Sequence, residues 1–287
     1  MKIVIFEVED WERETFERLG EAHELAFERH RLNAERAEKH KDAEIISSFI
    51  YSDLSRVVLE EFDNLKLNAT RSTGFDHIDM DWCEANDVTI ANVPNYGENT
   101  VAEHAFALLL AISHNLVEAV DRTRRGNFSQ VGLQGFDLAG RTFGVIGTGN
   151  IGRNAARIAK GFAMEVVAFD VEPDQEAARE IDFDYVSMNE LLARSDVVSL
   201  HVPGNERTRN LISTDEFETM KDGSVLINTA RGTVVDTTAL LKALAGGKLR
   251  AAGLDVLPEE PVVREEAELL RAYFRRTHEL DEWDRLS

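Results

Sequence analysis

Three glycines and one acid carry the first chemical signal. Residues 142–170 open with the apolar run Thr142-Phe143-Gly144-Val145-Ile146, pass through Gly147-Thr148-Gly149-Asn150-Ile151-Gly152, continue with helical spacing to Gly161, and return to an apolar run that ends at Asp170. Strand, glycine turn, helix, strand and acid, in that order, are the context that a dinucleotide-binding turn requires. Gly147 permits the tight turn, Gly149 lets the backbone approach a pyrophosphate, and Gly152 lets the helix lie close against the strand. Free N–H groups at the helix start then face the phosphates. Asp170 stands where a carboxylate accepts hydrogen bonds from the adenosine ribose, which favours NAD over NADP, and Val171-Glu172 place no arginine beside it to neutralise a 2′-phosphate.

Hydride exchange between a nicotinamide and a carbonyl carbon needs a cation to polarise the carbonyl and an acid to protonate its oxygen. Arg231, in Asn228-Thr229-Ala230-Arg231-Gly232 at an expected strand end, either supplies the cation, its planar fork matching a carboxylate bidentately, or is a surface salt-bridge partner. Glu260, in Glu259-Glu260-Pro261, either orients a histidine acid or belongs to a solvated turn. At another strand end, Arg71-Ser72-Thr73-Gly74-Phe75-Asp76 either holds an anion such as a carboxylate on its amides or simply turns the chain. His23, His30 and His40 lie among charges and are expected on the solvated surface.

The elements that must position these groups alternate. Apolar runs at 2–6, 24–27, 43–48, 65–70 and 89–92 predict strands, with helices over 11–19, 33–40 and 79–85 between them. After the glycine turn, strands are expected at 197–200, 224–228 and 251–254 and a helix over 237–245; Ser187 with Glu190 and Ser213 with Glu216 are capping boxes that start two more helices. Such alternation implies parallel sheets, with ligand sites beyond the strand C-terminal ends. Val93-Pro94-Asn95-Tyr96-Gly97 reads as a linker, and 100–124 as one long helix, nearly all apolar in its first half and so expected to be buried all round as a spine between two domains. The expected class is α/β in two domains, 1–97 and 98–287.

Composition narrows the function classes. The 287 residues suffice for two cores, and a net charge of −21 opposes binding to nucleic acid or acidic lipid. The single cysteine, Cys83, has no disulfide partner and no companions for a thiolate metal site, so no metal is expected. With no charged-apolar-small leader and no apolar run long enough to span a bilayer, a cytoplasmic protein is expected.

Taken together, Ser-Thr-Gly-Phe-Asp-His-Ile-Asp (72–79), Thr-Val-Ala-Glu-His (100–104), Gly-Val-Ile-Gly-Thr-Gly-Asn-Ile-Gly (144–152), His-Val-Pro (201–203), Asn-Thr-Ala-Arg-Gly (228–232) and Gly-Leu-Asp-Val with Glu-Glu-Pro (253–261) resemble the D-isomer-specific 2-hydroxyacid dehydrogenases, with the D-lactate and phosphoglycerate dehydrogenase branches closest. The resemblance implies two Rossmann-like domains, a flavodoxin-like substrate domain (1–97) and an NAD-binding domain (98–287), usually in a homodimer paired through the coenzyme domains. It implies an NAD-dependent exchange of hydride with a small D-2-hydroxy acid or 2-keto acid. Arg231 matches the catalytic arginine and Glu260 the glutamate that raises the pKa of the catalytic histidine. Thr73 and Gly74 would hold the substrate carboxylate and Tyr96 would line the same site. Asn150 and Ile151 fall at the pyrophosphate, Asp170 at the ribose, Val202 and Pro203 near the adenosine, and Thr208, Thr229, Ala230 and Asp255 on the way to the nicotinamide. One departure stands out: the Pro-His pair that carries the family's acid is not found, His278 lacks the preceding proline, and the family's closing helix is not seen. The expectation is therefore a chain short of its C-terminal end, with a substrate domain missing its last helix; the alternative function is an NAD(H)-binding protein without turnover.

Overall fold

The computed structural model describes residues 1–75, 77–94 and 97–258. Its chain divides into two compact units, Met1–Gly97 and the part that begins at Glu98.

In the first unit β1 (Lys2–Ile5), α1 (Asp10–Glu17), β2 (Glu24–Phe27), α2 (Ala34–Lys39), β3 (Ile45–Ser48), α3 (Arg56–Leu59), β4 (Leu67–Thr70), α4 (Met80–Ala85) and β5 (Thr89–Ala91) alternate, and the short α3 between β3 and β4 was not expected from the sequence. The sheet is parallel throughout, in the order β2-β1-β3-β4-β5. That is the flavodoxin-like winding, whose direction reverses between β1 and β3. Asn33 and Asp79 cap α2 and α4 by accepting the Arg36 and Trp82 amides. Val4, Phe6, Leu32, Ile46, Leu54 and Leu59 are fully buried in the core on one side of the sheet. His40 corrects the surface expectation: it is buried, with Nε2 2.8 Å from Glu28 Oε1 and its ring edge-on to Phe6.

The second unit runs α5 (Glu98–Ser113), α6 (Leu116–Arg124), β6 (Thr142–Ile146), α7 (Asn150–Gly161), β7 (Glu165–Phe169), α8 (Gln175–Ile181), β8 (Asp184–Tyr185), α9 (Met188–Arg194), β9 (Val197–Leu200), α10 (Thr214–Thr219), β10 (Ser224–Asn228), α11 (Thr237–Ala245) and β11 (Leu249–Leu254). Its parallel sheet has the order β11-β10-β9-β6-β7-β8. Counted within the unit this is the doubly wound dinucleotide-binding order, and its winding reverses between β6 and β9. Strands β6, β9 and β10 are buried along their whole length, which is why they read as continuous apolar runs. Phe143, Val145, Val197, Val225 and Ile227 face a core closed by α5 and α7, and Ile146, Val198, Leu200 and Leu226 face one closed by α9, α10 and α11.

The long helix expected over 100–124 is two helices, bent by 64° between Ser113 and Leu116. Asn115 sits there with φ +49°, its side-chain amide donates to the Leu133 carbonyl, and the Ser113 carbonyl accepts the Phe136 amide from the returning loop instead of a helical partner. Nor is the helix buried all round: Ala102, Ala105, Phe106, Leu109 and Ser113 form one buried stripe. No single helix among the described residues is long and apolar enough to cross a membrane; this bent pair meets that test only jointly.

Candidate functional site

The end of β6 is built around a turn that only glycine accommodates. Gly147 has φ +93°, its amide donates to the Phe169 carbonyl at 2.9 Å, and a Cβ on it would lie 2.6 Å from the His201 carbonyl oxygen. Gly149 is the extended N-cap of α7 and faces open space, so the amides of Asn150, Ile151 and Gly152 in the first turn lie at an unobstructed helix start. The Asn150 side-chain amide reaches Glu98 at 2.6 Å, at the first residue of α5.

Asp170, directly after β7, is held as an acceptor. Its Oδ2 receives the Thr148 amide at 2.6 Å and the Thr148 hydroxyl at 2.9 Å, and its Oδ1 receives the Glu172 amide at 2.9 Å. Burial pushes its pKa up, but the Glu172 and Thr148 amides and the Thr148 hydroxyl outweigh it and hold the carboxyl below the ordinary range. It is therefore charged at neutral pH. Val171 beside it is 85% exposed and offers a bare apolar surface at the strand end.

Beyond β9, Thr208 closes the 203–208 turn by donating to the Pro203 carbonyl at 2.6 Å and receiving the Asn205 amide at 3.0 Å. The Thr208 hydroxyl thus shapes the turn after Val202-Pro203. His201 precedes them with Nε2 2.9 Å from the Ser199 hydroxyl and a buried Nδ1 that has no partner among the described residues. Burial pushes its pKa down to about 4, so it is neutral near pH 7 and is no store of protons.

At the end of β10 the first residue of the Asn-Thr-Ala-Arg-Gly segment organises the turn. Buried Asn228 accepts the Ala230 amide at 3.0 Å on Oδ1 and donates from Nδ2 to the Arg231 carbonyl at 3.0 Å, and its own carbonyl takes the Asp255 amide at 3.0 Å. Its signal was the short polar side chain at a strand end, where a turn-forming amide is favoured. Arg231 emerges exposed, with Nη1 donating to the Ala230 carbonyl at 2.8 Å. Thr229 is buried, and its hydroxyl has no partner among the described residues. A buried hydroxyl left this way is costly, and a bound group that pairs with it removes the cost. Asp255, after β11, lies 3.2 Å from Nε2 of His104 on α5, a contact that the motifs taken one by one do not reveal.

In the first unit, the loop after β4 is tied in place by its side chains. Thr73 Oγ1 donates to the Val93 carbonyl, Asn92 Nδ2 to the Thr73 carbonyl, both at 2.9 Å, and Ser72 Oγ to the Gly74 carbonyl at 2.6 Å. The Thr73 and Gly74 amides take no acceptor among the described residues, which leaves both for an anion. Underneath, Arg71 donates to the Phe6 and Glu7 carbonyls at 2.9 Å and to Ser47 Oγ at 3.0 Å, and pairs with Glu12 at 3.2 Å. Glu7, at φ +53°, accepts the Phe49 and Tyr51 amides at 3.1 and 3.0 Å and the Ser52 hydroxyl. Arg71 and Glu7 so bind the ends of β1, β3 and β4 into one rigid rim. Tyr96, Glu260 and His278 lie outside the described residues. No cluster of three His, Cys, Asp or Glu among the described residues is placed to hold a metal.

The glycine turn, the ionised Asp170 and the Asn228 turn stand at the carboxyl edge of one parallel sheet, and the family model for the NAD-binding domain of D-isomer specific 2-hydroxyacid dehydrogenases matches residues 106–274. The chain belongs to this family. D-lactate dehydrogenase of Escherichia coli is 36% identical over 264 residues, covering 91% of this chain and 80% of that protein. Glyoxylate reductase of Thermococcus litoralis is 38% identical over 236 residues, covering 80% of this chain and 71% of that protein. The crystal structure of D-lactate dehydrogenase from Aquifex aeolicus, complexed with NAD and lactic acid, superposes with a TM-score of 0.85 at 35% identity, covering 99% of this chain and 84% of that one. The NAD-binding match falls entirely within the second unit.

Proposed function

We propose that the chain is an NAD-dependent oxidoreductase that exchanges hydride with a small D-2-hydroxy acid or its 2-keto acid, the second unit holding NAD and the first the acid. The observation that carries the cofactor assignment is the pair formed by the Gly147–Gly152 turn and the ionised Asp170, fixed as an acceptor at the end of the adjacent strand. The residues fit the cofactor: Gly149, Asn150 and Ile151 offer open space and free amides to a pyrophosphate, Asp170 accepts from a ribose, and Val202 and Pro203 border the adenosine. Thr229, whose hydroxyl has no partner among the described residues, and Ala230, Thr208 and Asp255 line the way to the nicotinamide.

When bound, NAD supplies the hydride acceptor, and NADH the donor. In keto-acid reduction Arg231 polarises the carbonyl and stabilises charge developing on its oxygen, while the Thr73 and Gly74 amides suit the substrate carboxylate. A proton must reach that oxygen as hydride reaches the carbon; Glu260 would orient a histidine acid, the group for which this sequence shows no Pro-His pair. A homodimer through the second unit is part of this reading, supported by the exposed Leu116, Val117 and Val120 on α6 and Phe128 and Val131 after it. A cytoplasmic location, with access to the pyridine nucleotide pool, completes it.

The deciding experiment is steady-state NADH oxidation with pyruvate, hydroxypyruvate and glyoxylate, run beside a direct NADH-binding titration. Turnover with at least one keto acid supports the enzyme. Binding without turnover on any of them favours a nucleotide-binding protein that performs no reaction.

A further inference from the structure

The Asp170 carboxylate is the last member of a hydrogen-bond chain whose direction follows from counting protons. Thr148 has one hydroxyl proton and gives it to Asp170 Oδ2. Thr148 Oγ1 also lies 2.7 Å from the Tyr185 hydroxyl, so Tyr185 is the donor in that contact. The Tyr185 oxygen in turn receives the Asp174 amide at 3.0 Å. The chain therefore runs from the Asp174 N–H through Tyr185 and Thr148 to Asp170, each link polarising the next.

Its members come from four elements. Tyr185 lies on β8, the two-residue edge strand, paired with Ala168 of β7. Asp174 caps α8 by accepting the Glu176 and Ala177 amides and pairs with Arg153 at 3.1 Å. Arg153, in the first turn of α7, donates from Nε to the Thr148 carbonyl at 2.7 Å. Thr148 itself is buried inside the glycine turn. Oδ2 of Asp170 accepts twice and Oδ1 once, and the Val171 amide also favours the charged carboxylate.

We propose that Tyr185 is a positioning residue for cofactor discrimination: by donating to Thr148 it commits the Thr148 proton to Asp170 and fixes that carboxylate where it takes a ribose hydroxyl and repels a 2′-phosphate. This rests on the placement of Asp170 at the ribose. Without the Tyr185 hydroxyl, Thr148 is free to turn its proton elsewhere, the carboxylate loses its fixed orientation, and NADH loses more than NADPH. A merely structural Tyr185, packed edge-on to Phe183 with centroids 5.2 Å apart, would be replaced by Phe without such a difference.

The test is equilibrium binding of NADH and of NADPH to the full chain by nucleotide fluorescence, for wild type, Tyr185→Phe, Thr148→Ser, Thr148→Val and Asp170→Ala. Tyr185→Phe and Thr148→Val should each lower the NADH-to-NADPH affinity ratio by about three- to tenfold, the range of one neutral hydrogen bond. Thr148→Ser, which keeps the hydroxyl, should retain the ratio. Tyr185→Phe retains the ring, so it reports even where Thr148→Val fails to fold. An unchanged ratio in Tyr185→Phe, or equal loss of both nucleotides, overturns the relay while Asp170→Ala still lowers the ratio. If Asp170→Ala also leaves the ratio unchanged, the ribose assignment fails and the relay falls with it.

Discussion

Gly152 packs against the carbonyl oxygen of Gly147 so closely that a Cβ on Gly152 would be driven into that oxygen, with Val145 Cγ1 at 3.2 Å on the other side. Both obstacles belong to β6 and its turn, so neither can move without pulling the strand from the sheet. Gly149, three residues earlier, has no atom of the described residues, its two chain neighbours aside, within 4 Å of where its Cβ would stand. The two substitutions therefore separate folding from binding. Gly152→Ala should lower stability by about 1–3 kcal/mol or more, the cost of overpacking. Gly149→Ala should leave the urea midpoint nearly unchanged yet weaken NADH, because its methyl group takes the space the pyrophosphate needs. Denaturation curves and NADH titrations of both variants check this; equal effects on stability would show that the open face of Gly149 has no special role.

Asn228 grips the Arg231 carbonyl, and the guanidinium emerges exposed. Arg231→Lys keeps the charge and loses the planar fork. In a turnover assay kcat/KM should fall by about 10²-fold or more, with NADH affinity changed little. A parallel loss of NADH affinity and turnover would assign Arg231 to the cofactor instead.

His201 makes stability fall as the solution is acidified. Burial pushes its folded pKa down to about 4, against an ordinary value of 6.5. Between those values the unfolded chain takes up a proton that the folded chain refuses, so stability is lost as pH drops through this window and the loss levels off below it. From about pH 7.5 to about pH 5 this one group removes at most about 2 kcal/mol. The urea midpoint of His201→Gln should drop less over that range than that of wild type; an identical drop would clear His201 of the effect.

The exposed strip on α6 and after it, with Val117 74% and Phe128 79% accessible, is the surface on which a homodimer would close. Val117→Asp combined with Phe128→Ser should shift sedimentation from twice the chain mass to the chain mass at micromolar concentration. A wild-type chain that sediments as a monomer would remove the dimer from the reading.

Alternation of apolar runs with helical spacing determined the α/β class, and the buried strands of the second unit, β6, β7, β9 and β10, stand on the residues the sequence marks out, because a central parallel strand must be apolar on both faces. The glycine turn and Asp170 were legible for a similar reason: their constraints are local, and only certain residue types satisfy them. What crosses from one element to another was not. The break at Asn115 depends on a loop that returns to take the Ser113 carbonyl, and propensity within residues 100–124 contains no trace of it. Burial of His40 depends on Glu28 and Phe6, the pairing of His104 depends on Asp255, and the work of Asn228 spans two strand ends. Sequence types alone determined that an acid would follow β7; only the folded edge of the sheet, which brings Thr148, Asp174 and Tyr185 around it, decided how that acid is charged and oriented. Hydrogen bonds act over about 3 Å of space, whatever the separation along the chain, and that distance exists only after folding.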